Sequence, residues 1–391
     1  MHPRLRLSKP IEASVRRGNP WVFADAVEPL EGVKDGEVVD LVTTSGMFIA
    51  RGTIEPSSQL RFRAWTWDFD EEVDEAFVAR RFASALELRR ALLPKSVEAF
   101  RVVHGENDRL PGLHCDIYGD LVSLRIDGRL GERWVDAYVS AAVSELQPAA
   151  LIVREPQRDN GKPRILFGDV PDEMQFRERD RRFLMNPLTG QKTGFFLDQR
   201  DNRDKVTQLA RGRRVLNLCS YTGGFTIAAG LGGADEVISV DISGAALEMA
   251  KKNVALNGLD ERKFGFVKAD VFDWLTDEVK RPPRFDLVIV DPPSFAASAK
   301  TAKDGGKAYV RLNELAMRAT IPGGWFVSAS CSSHLRAEGF LDLLAASAER
   351  SERSYRVVEV RGAGIDHPTL AAFPQGAYLK FVMGRLDGLR G

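Results

Sequence analysis

Apolar and polar positions follow three different rhythms along the 391-residue chain. Over residues 1–71, short apolar runs are broken at Asp35-Gly36 and Ser45-Gly46, the spacing of a small β-barrel. The period then changes: Val78, Phe82, Ala85, Leu86 and Leu93 recur at helical spacing, with Arg80, Arg81, Glu87 and Arg90 on the opposite face. Residues 102–167 alternate predicted strands with one helix. A short apolar run at 215–218 stops at Tyr221-Thr222-Gly223-Gly224; helix-spaced Phe225, Ile227 and Ala228 follow, then a β-branched run at 236–240. That is strand, helix, parallel strand. The fully apolar run at 287–290 and the 326–330 run (FVSAS) predict central strands of a parallel sheet, and 355–360 with 378–383 predict its antiparallel edge. The expected fold class is α/β: a mostly parallel sheet domain over 179–391, preceded by a small β-barrel over 1–71 and an α+β middle domain over 72–178.

Composition narrows the class without changing the layout. A hydrophobic share of 44% is ample for two or three cores. The start, MHPRLRLSKP, lacks the apolar stretch of a signal peptide, and no run approaches a membrane span. Three cysteines at unrelated spacings give neither a disulfide framework nor a zinc pattern, so no metal is expected and a reducing cytoplasm fits. Charge balances globally, 55 basic against 55 acidic residues, which speaks against strong nonspecific nucleic-acid binding. Locally it does not balance. Arg4, Arg6, Lys9, Arg16 and Arg17 crowd the start, and Arg177, Arg179, Arg181, Arg182 and Lys192 precede the sheet domain. Such clusters contact phosphates or form an ordinary solvated face. Trp21, Phe23, Trp65 and Trp67 are stacking candidates for RNA bases, although aromatics in so small a barrel commonly form its core.

The chemistry concentrates at predicted strand ends. Asp241 ends the second strand of the βαβ unit, where an acid suits a ribose hydroxyl pair. The turn before it is not G-x-G-x-x-G, so a nucleoside without phosphates fits better than a dinucleotide. S-adenosylmethionine and an ordinary βαβ unit with a solvated acid remain equal readings of that segment alone. Asp291 ends the next central strand and runs into Pro292-Pro293-Ser294-Phe295, a rigid exit suited to a planar polar base. The run at 326–330 delivers Cys331, Ser332, Ser333 and His334 to the same edge.

Taken together these stretches resemble the bacterial large-subunit ribosomal RNA cytosine-5 methyltransferases with an N-terminal PUA-like domain. The matching motifs are 19–23 (NPWVF), 105–112 (GENDRLPG), 190–203 (GQKTGFFLDQRDNR), 220–225, 291–295 and 366–380 (DHPTLAAFPQGAYLK), in the family's order over essentially the whole chain. The second and third domains then become a middle domain that holds RNA or a partner subunit and a Rossmann-like class I methyltransferase domain. The resemblance implies S-adenosylmethionine held by Gln199, Arg200, Asn217, Ser220, Tyr221, Thr222, Gly223, Phe225, Asp241, Ile242, Ser243, Asp270, Val271, Asp291 and Pro292. Asp270 would accept from the adenine amino group; helix N-capping is its plainer role. Ribosomal RNA as partner, a homodimer, no membrane association and a cytoplasmic location are also implied.

Cytosine carbon 5 is a poor nucleophile until another nucleophile adds at carbon 6, and a thiolate does this well. Cys331 is the expected nucleophile, with Asp291 hydrogen-bonding the base's amino group and ring nitrogen. Cys115 and Cys219 are expected to be small buried hydrophobes. His104, His334 and His367 have no role fixed by the sequence. Another group of RNA cytosine-5 methyltransferases carries a second cysteine where this chain has Ser294. Two other functions stay open: methylation of a base nitrogen through the Asp-Pro-Pro-Ser-Phe loop, which needs no thiol, and RNA binding by a protein that holds the cofactor without catalysis.

Overall fold

Apolar side chains of the C-terminal half sort onto opposite faces of one sheet. Leu216, Leu218, Val288, Val290 and Phe326 pack on one side, and Val215, Leu287, Ile289, Val327 and Ala329 on the other. A period of two with both faces covered explains why these runs read as continuously apolar. The computed structural model describes residues 2–156, 162–190, 192–295, 302–333 and 335–388. It groups the chain into two units. The first comprises Met1–Phe176, Asn186–Leu197 and Ile365–Gly376; the second comprises Arg177–Met185, Asp198–Gly364 and Ala377–Gly391.

The first unit begins with β1 (Arg4–Arg6), α1 (Glu12–Arg16), β2 (Trp21–Phe23), β3 (Glu37–Val42), β4 (Phe48–Ile54) and β5 (Leu60–Thr66). Their sheet has the order β1-β3-β4-β5-β2. Gly36 and Gly46 take the expected turns at φ 77° and 88°, the left-handed region that glycine enters freely. A second sheet, ordered β10-β9-β8-β7-β6, is built from β6 (Ala99–His104), β7 (Leu113–Tyr118), β8 (Leu121–Ile126), β9 (Ala150–Arg154) and β10 (Arg164–Phe167). Helices α2 (Glu75–Leu92) and α3 (Gly131–Leu146) pack against it through Phe77, Phe82, Leu86 and Tyr138. Asp74 caps α2 by accepting from the Phe77 amide at 2.7 Å.

Two later stretches complete this unit. The Asp366 carboxylate accepts the Arg101 backbone amide at 2.9 Å, and its carbonyl accepts from the buried Arg89 guanidinium at 3.0 Å. Arg89 also grips Asp108 through two bonds of 2.6 and 2.7 Å. The Thr193 hydroxyl reaches Asp116 and Tyr118.

β11 (Met174–Glu178) and β12 (Arg181–Met185) form a two-stranded ribbon. The second unit continues through α4 (Arg200–Leu209), β13 (Arg214–Leu218), α5 (Gly224–Leu231), β14 (Glu236–Asp241), α6 (Gly244–Leu256), β15 (Phe264–Lys268) and α7 (Val271–Glu278). It closes with β16 (Phe285–Val290), α8 (Ala302–Ala319), β17 (Thr320–Ser330), α9 (Ala337–Arg350), β18 (Arg353–Arg361) and β19 (Lys380–Gly388). The seven-stranded order is β15-β14-β13-β16-β17-β19-β18. β13 to β17 pair in parallel, while β19 is antiparallel to both neighbours. The α/β class and its antiparallel C-terminal edge are therefore as read from the sequence. Strand order reverses at β13, between β14 and β16, and the carboxyl ends there frame a crevice.

One charge reading is corrected. Arg181, grouped with residues suited to phosphate, is 2% exposed and pairs with Glu178 at 3.0 Å and with Asp204. Arg203 donates to the same fully buried Glu178 at 2.8 Å. A carboxylate out of water requires such partners, so these arginines serve the interior rather than a ligand.

Candidate active site

The turn after β13 is built from unusual backbone. Cys219, Tyr221 and Gly223 have φ of 56°, 47° and 84°. Non-glycine residues seldom take such values, and they persist where surrounding structure holds them. A Cβ on Gly223 would lie 2.9 Å from that of Ala250, so the turn needs glycine there for space as well as torsion. The Asp241 carboxylate holds the turn in place: Oδ2 accepts the Tyr221 amide and Oδ1 the Ser243 amide, each at 2.8 Å. Ser243 in turn caps α6 by accepting from Ala246 at 3.2 Å. Beside Asp241, Ile242 is 68% exposed, an apolar surface at the mouth of the crevice.

Several polar atoms of this turn are buried yet find no hydrogen-bond partner among the described residues: Asn217 Oδ1, Ser220 Oγ and Thr222 Oγ1. Buried oxygens ordinarily have partners, and their clustering points to a ligand that supplies donors. The Asn217 amide is oriented by Thr226, which it reaches at 2.9 Å. Asp241, Asp291 and Asp270 all act on the Cys219 thiol, which burial first and then these carboxylates push far up. Three converging acids repel phosphates and suit a cationic ligand bearing hydroxyl groups. S-adenosylmethionine, with a ribose, an ammonium and a sulfonium, fits that donor and charge pattern. Asp270 accepts from the Phe272 and Asp273 amides at 2.8 and 3.3 Å, both on Oδ1, so it does cap α7. Phe225 and Val271 turn their side chains into the two cores of the sheet, which leaves only their backbones for a ligand.

On the other side of β13, the Asp291 amide bonds the Leu218 carbonyl at 3.4 Å, aligning the ends of β16 and β13. The FLDQR stretch lies against this end. Gln199 donates from Nε2 to Asp291 Oδ2 at 3.1 Å and accepts from Asn202 at 2.7 Å. Arg200 is fully buried, with Asp201 3.6 Å from its Nε. Pro292 is buried and Phe295 packs edge-on to Tyr309 at 5.0 Å, fixing the chain that leaves Asp291.

Cys331 follows β17, whose Ser328 is in register with Val290 of β16. Asp291 and Cys331 thus leave adjacent parallel strands at the same edge. Tyr309 of α8 senses both: burial pushes its hydroxyl up to about 12, with Cys331 and Asp291 adding to the rise. Its oxygen accepts from Ser330 at 2.9 Å. Lys380, which sequence reasoning noticed only as the end of a motif, pairs with Ser330 across the antiparallel step. It is 3% exposed and donates to the carbonyls of Ser332 and Tyr378. Burial lowers its ammonium to about 8, opposed by the charge of Cys331.

Other expected groups lie elsewhere. Cys115 is fully buried in the first unit, and burial raises its thiol far above the usual range. His104 and His367 meet there at 5.2 Å, both buried. His334 lies outside the described residues, as does Gln191 of the 190–203 motif. Trp65 is buried, Trp21 donates to Glu106 at 2.9 Å, Phe23 is exposed, and Arg109 sits 5.4 Å over the Trp67 ring. In the N-terminal basic cluster, Lys9 and Arg16 pair with Asp25 and Glu12.

Comparison with known proteins agrees with this geometry. Residues 129–369 match the S-adenosylmethionine-dependent methyltransferase family and residues 5–67 the PUA-like domain. The ribosomal RNA large subunit methyltransferase I of Erwinia tasmaniensis is 38% identical over 390 residues, covering 97% of this chain and 98% of that protein. The protein of the same name from Shigella dysenteriae is 35% identical with the same shares covered. A SAM-dependent methyltransferase structure from Streptococcus mutans superposes with a TM-score of 0.87 at 21% identity, over 98% of this chain and 100% of that one. A methyltransferase complexed with SAH gives a TM-score of 0.88 over the same shares and at the same identity, which supports the fold.

Proposed function

Because the chain belongs to the S-adenosylmethionine-dependent methyltransferases named ribosomal RNA large subunit methyltransferase I, we propose that it methylates carbon 5 of a cytosine in large-subunit ribosomal RNA through a covalent adduct on Cys331. The observation that carries this reading is the exit of Cys331 and Asp291 from adjacent parallel strands beside the crevice at β13. When bound, the cofactor supplies an electrophilic methyl group.

The cofactor set proposed is the one expected from the sequence. Asp241 takes the ribose hydroxyls, Ile242 covers the base, Asp270 accepts from the adenine amino group, and Gln199 and Arg200 close over the amino-acid end. The residues at the Cys331 edge perform the rest. The Cys331 thiolate adds its electron pair to carbon 6 of the cytosine, and the displaced π pair makes carbon 5 nucleophilic. Asp291 hydrogen-bonds the amino group and ring nitrogen and steadies the charge that develops there. After methylation, loss of the carbon 5 proton drives the bonding pair back to sulfur, and the thiolate leaves. Gln199 holds Asp291 by its amide, so the carboxylate meets the base in one orientation.

A base enters such a site only after leaving its stack, which favours RNA that is not yet fully assembled. Residues 1–71 and 72–178 then act as an RNA-holding domain and a domain for RNA or a second subunit, ahead of catalysis by 179–391. A homodimer and a cytoplasmic location accompany this reading; no described helix is long and apolar enough to cross a membrane. The test uses large-subunit RNA containing 5-fluorocytidine, whose fluorine blocks release. A cofactor-dependent mass adduct on Cys331 is expected. Methyl transfer without an adduct would overturn the thiol route and favour a base nitrogen as acceptor.

A further inference from the structure

Lys380 sits on β19, directly across from Ser330, and so one residue from the proposed nucleophile. Two backbone carbonyls, those of Ser332 and Tyr378, tie its ammonium to the segment on either side of the strand ends. A buried lysine that served only to bond carbonyls would be a costly choice, since removing an ammonium from water is unfavourable without a negative partner. Among the described residues, Cys331 acts on Lys380, the Tyr309 hydroxyl on α8 feels both Cys331 and Asp291, and Tyr378 donates to Asp198. The raised Tyr309 hydroxyl stays neutral near pH 7, and Gln199 donates to one oxygen of Asp291.

We propose that Lys380 holds Cys331 as a thiolate, its anchored ammonium supplying the counter-charge from the neighbouring antiparallel strand. The inference rests on the reading of Cys331 as nucleophile and assigns its activation. The lowering of the lysine by burial and its partial restoration by Cys331 are the reciprocal side of the same pairing. Protons and electrons balance without a co-reactant. The Sγ–H proton passes to water, sulfur keeps its pair and donates it to carbon 6, and release returns that pair to sulfur. Throughout, the ammonium retains its three protons and its carbonyl anchors. Lys380 is thus a positioning residue for charge.

The experiment is alkylation of the full chain by iodoacetamide across pH, read at Cys331 by peptide mass spectrometry, with Cys331→Ser to verify the assignment. Lys380→Met is expected to raise the midpoint by about one unit or more and to slow the reaction at pH 7 about tenfold. Lys380→Arg should restore most of the shift. A midpoint unchanged in Lys380→Met overturns the proposal, because a purely structural lysine would leave the thiol's titration alone. A second measurement covers the case in which that variant does not fold. Amine labelling of Lys380 in Cys331→Ser should titrate lower than in the parent protein, and an unchanged titration there equally overturns the pairing. The 5-fluorocytidine adduct separates the two readings: a midpoint shift without an adduct supports the pairing and removes the cytosine-5 route, whereas an adduct without a shift does the reverse.

Discussion

The backbone amide of Tyr221 donates to the Asp241 carboxylate at 2.8 Å, so the end of β14 fixes the turn that follows β13. One side chain therefore shapes the crevice and presents acceptor lone pairs to it.

Replacing Asp241 by alanine removes the proposed ribose acceptor and the clamp on two backbone amides at once. We expect S-adenosylmethionine affinity to fall at least tenfold, the loss of roughly one or two charge-assisted hydrogen bonds. Titration calorimetry measures it, and unchanged affinity would exclude Asp241 from the site.

Gly223→Ala tests the strained turn. The added methyl must adopt φ near 84° within 2.9 Å of Ala250, and such strain costs about 1–3 kcal/mol. A lowered denaturation midpoint at unchanged slope is the expected result; a variant as stable as the parent would mean the turn relaxes freely.

Glu178 anchors Arg181 and Arg203 out of water. Glu178→Gln takes the shared buried carboxylate from both cations, leaving Asp204 as the carboxylate on Arg181, and we expect a loss of about 3–5 kcal/mol in urea unfolding of the full chain. A loss below about 1 kcal/mol would show that water enters and solvates the arginines.

Acid sensitivity should trace to His104. Burial, then the positive charge of His367, Arg101, His114 and Arg89, holds its imidazole well below the usual 6.5. The unfolded chain binds a proton near 6.5 that the folded site refuses, so this contribution is intact above 6.5 and shrinks as pH falls below it. Its slope is at most about 1.4 kcal/mol per pH unit. Denaturation between pH 7.5 and 5.5 should show a shallower loss in His104→Gln than in the parent; equal slopes would rule this histidine out as the cause.

What the sequence disclosed was local. The βαβ unit ending at Asp241, the apolar strands before Asp291 and Cys331, and the antiparallel edge all follow from runs and periods within a few residues. Long-range ion pairs leave no such trace. Arg181 reads as a surface basic residue although Glu178 beside it and Asp204, on α4 23 positions later, both pair with it, and Arg203 on α4 reaches the same Glu178 across 25 positions. Lys380 was visible as a letter in a motif, yet its burial depends on a strand pairing that joins residue 380 to residue 330. Asp366 is subtler still, since it serves Arg101 across 265 positions.

That last distance bears on how the chain is made. Synthesis proceeds from the N-terminus, and an early unit ordinarily begins folding as it emerges. Here Arg89 and Arg101 emerge first, but Asp366, which accepts from both, is added 265 positions after Arg101. Until then the Arg89 guanidinium lacks the Asp366 carbonyl and the Arg101 amide lacks the Asp366 carboxylate, although the two side chains already have Asp108 and Asp116. The first unit is thus closed by residues 365–376, made long after the rest of it, and truncation before residue 365 should yield a product recognised by chaperones rather than a stable fragment.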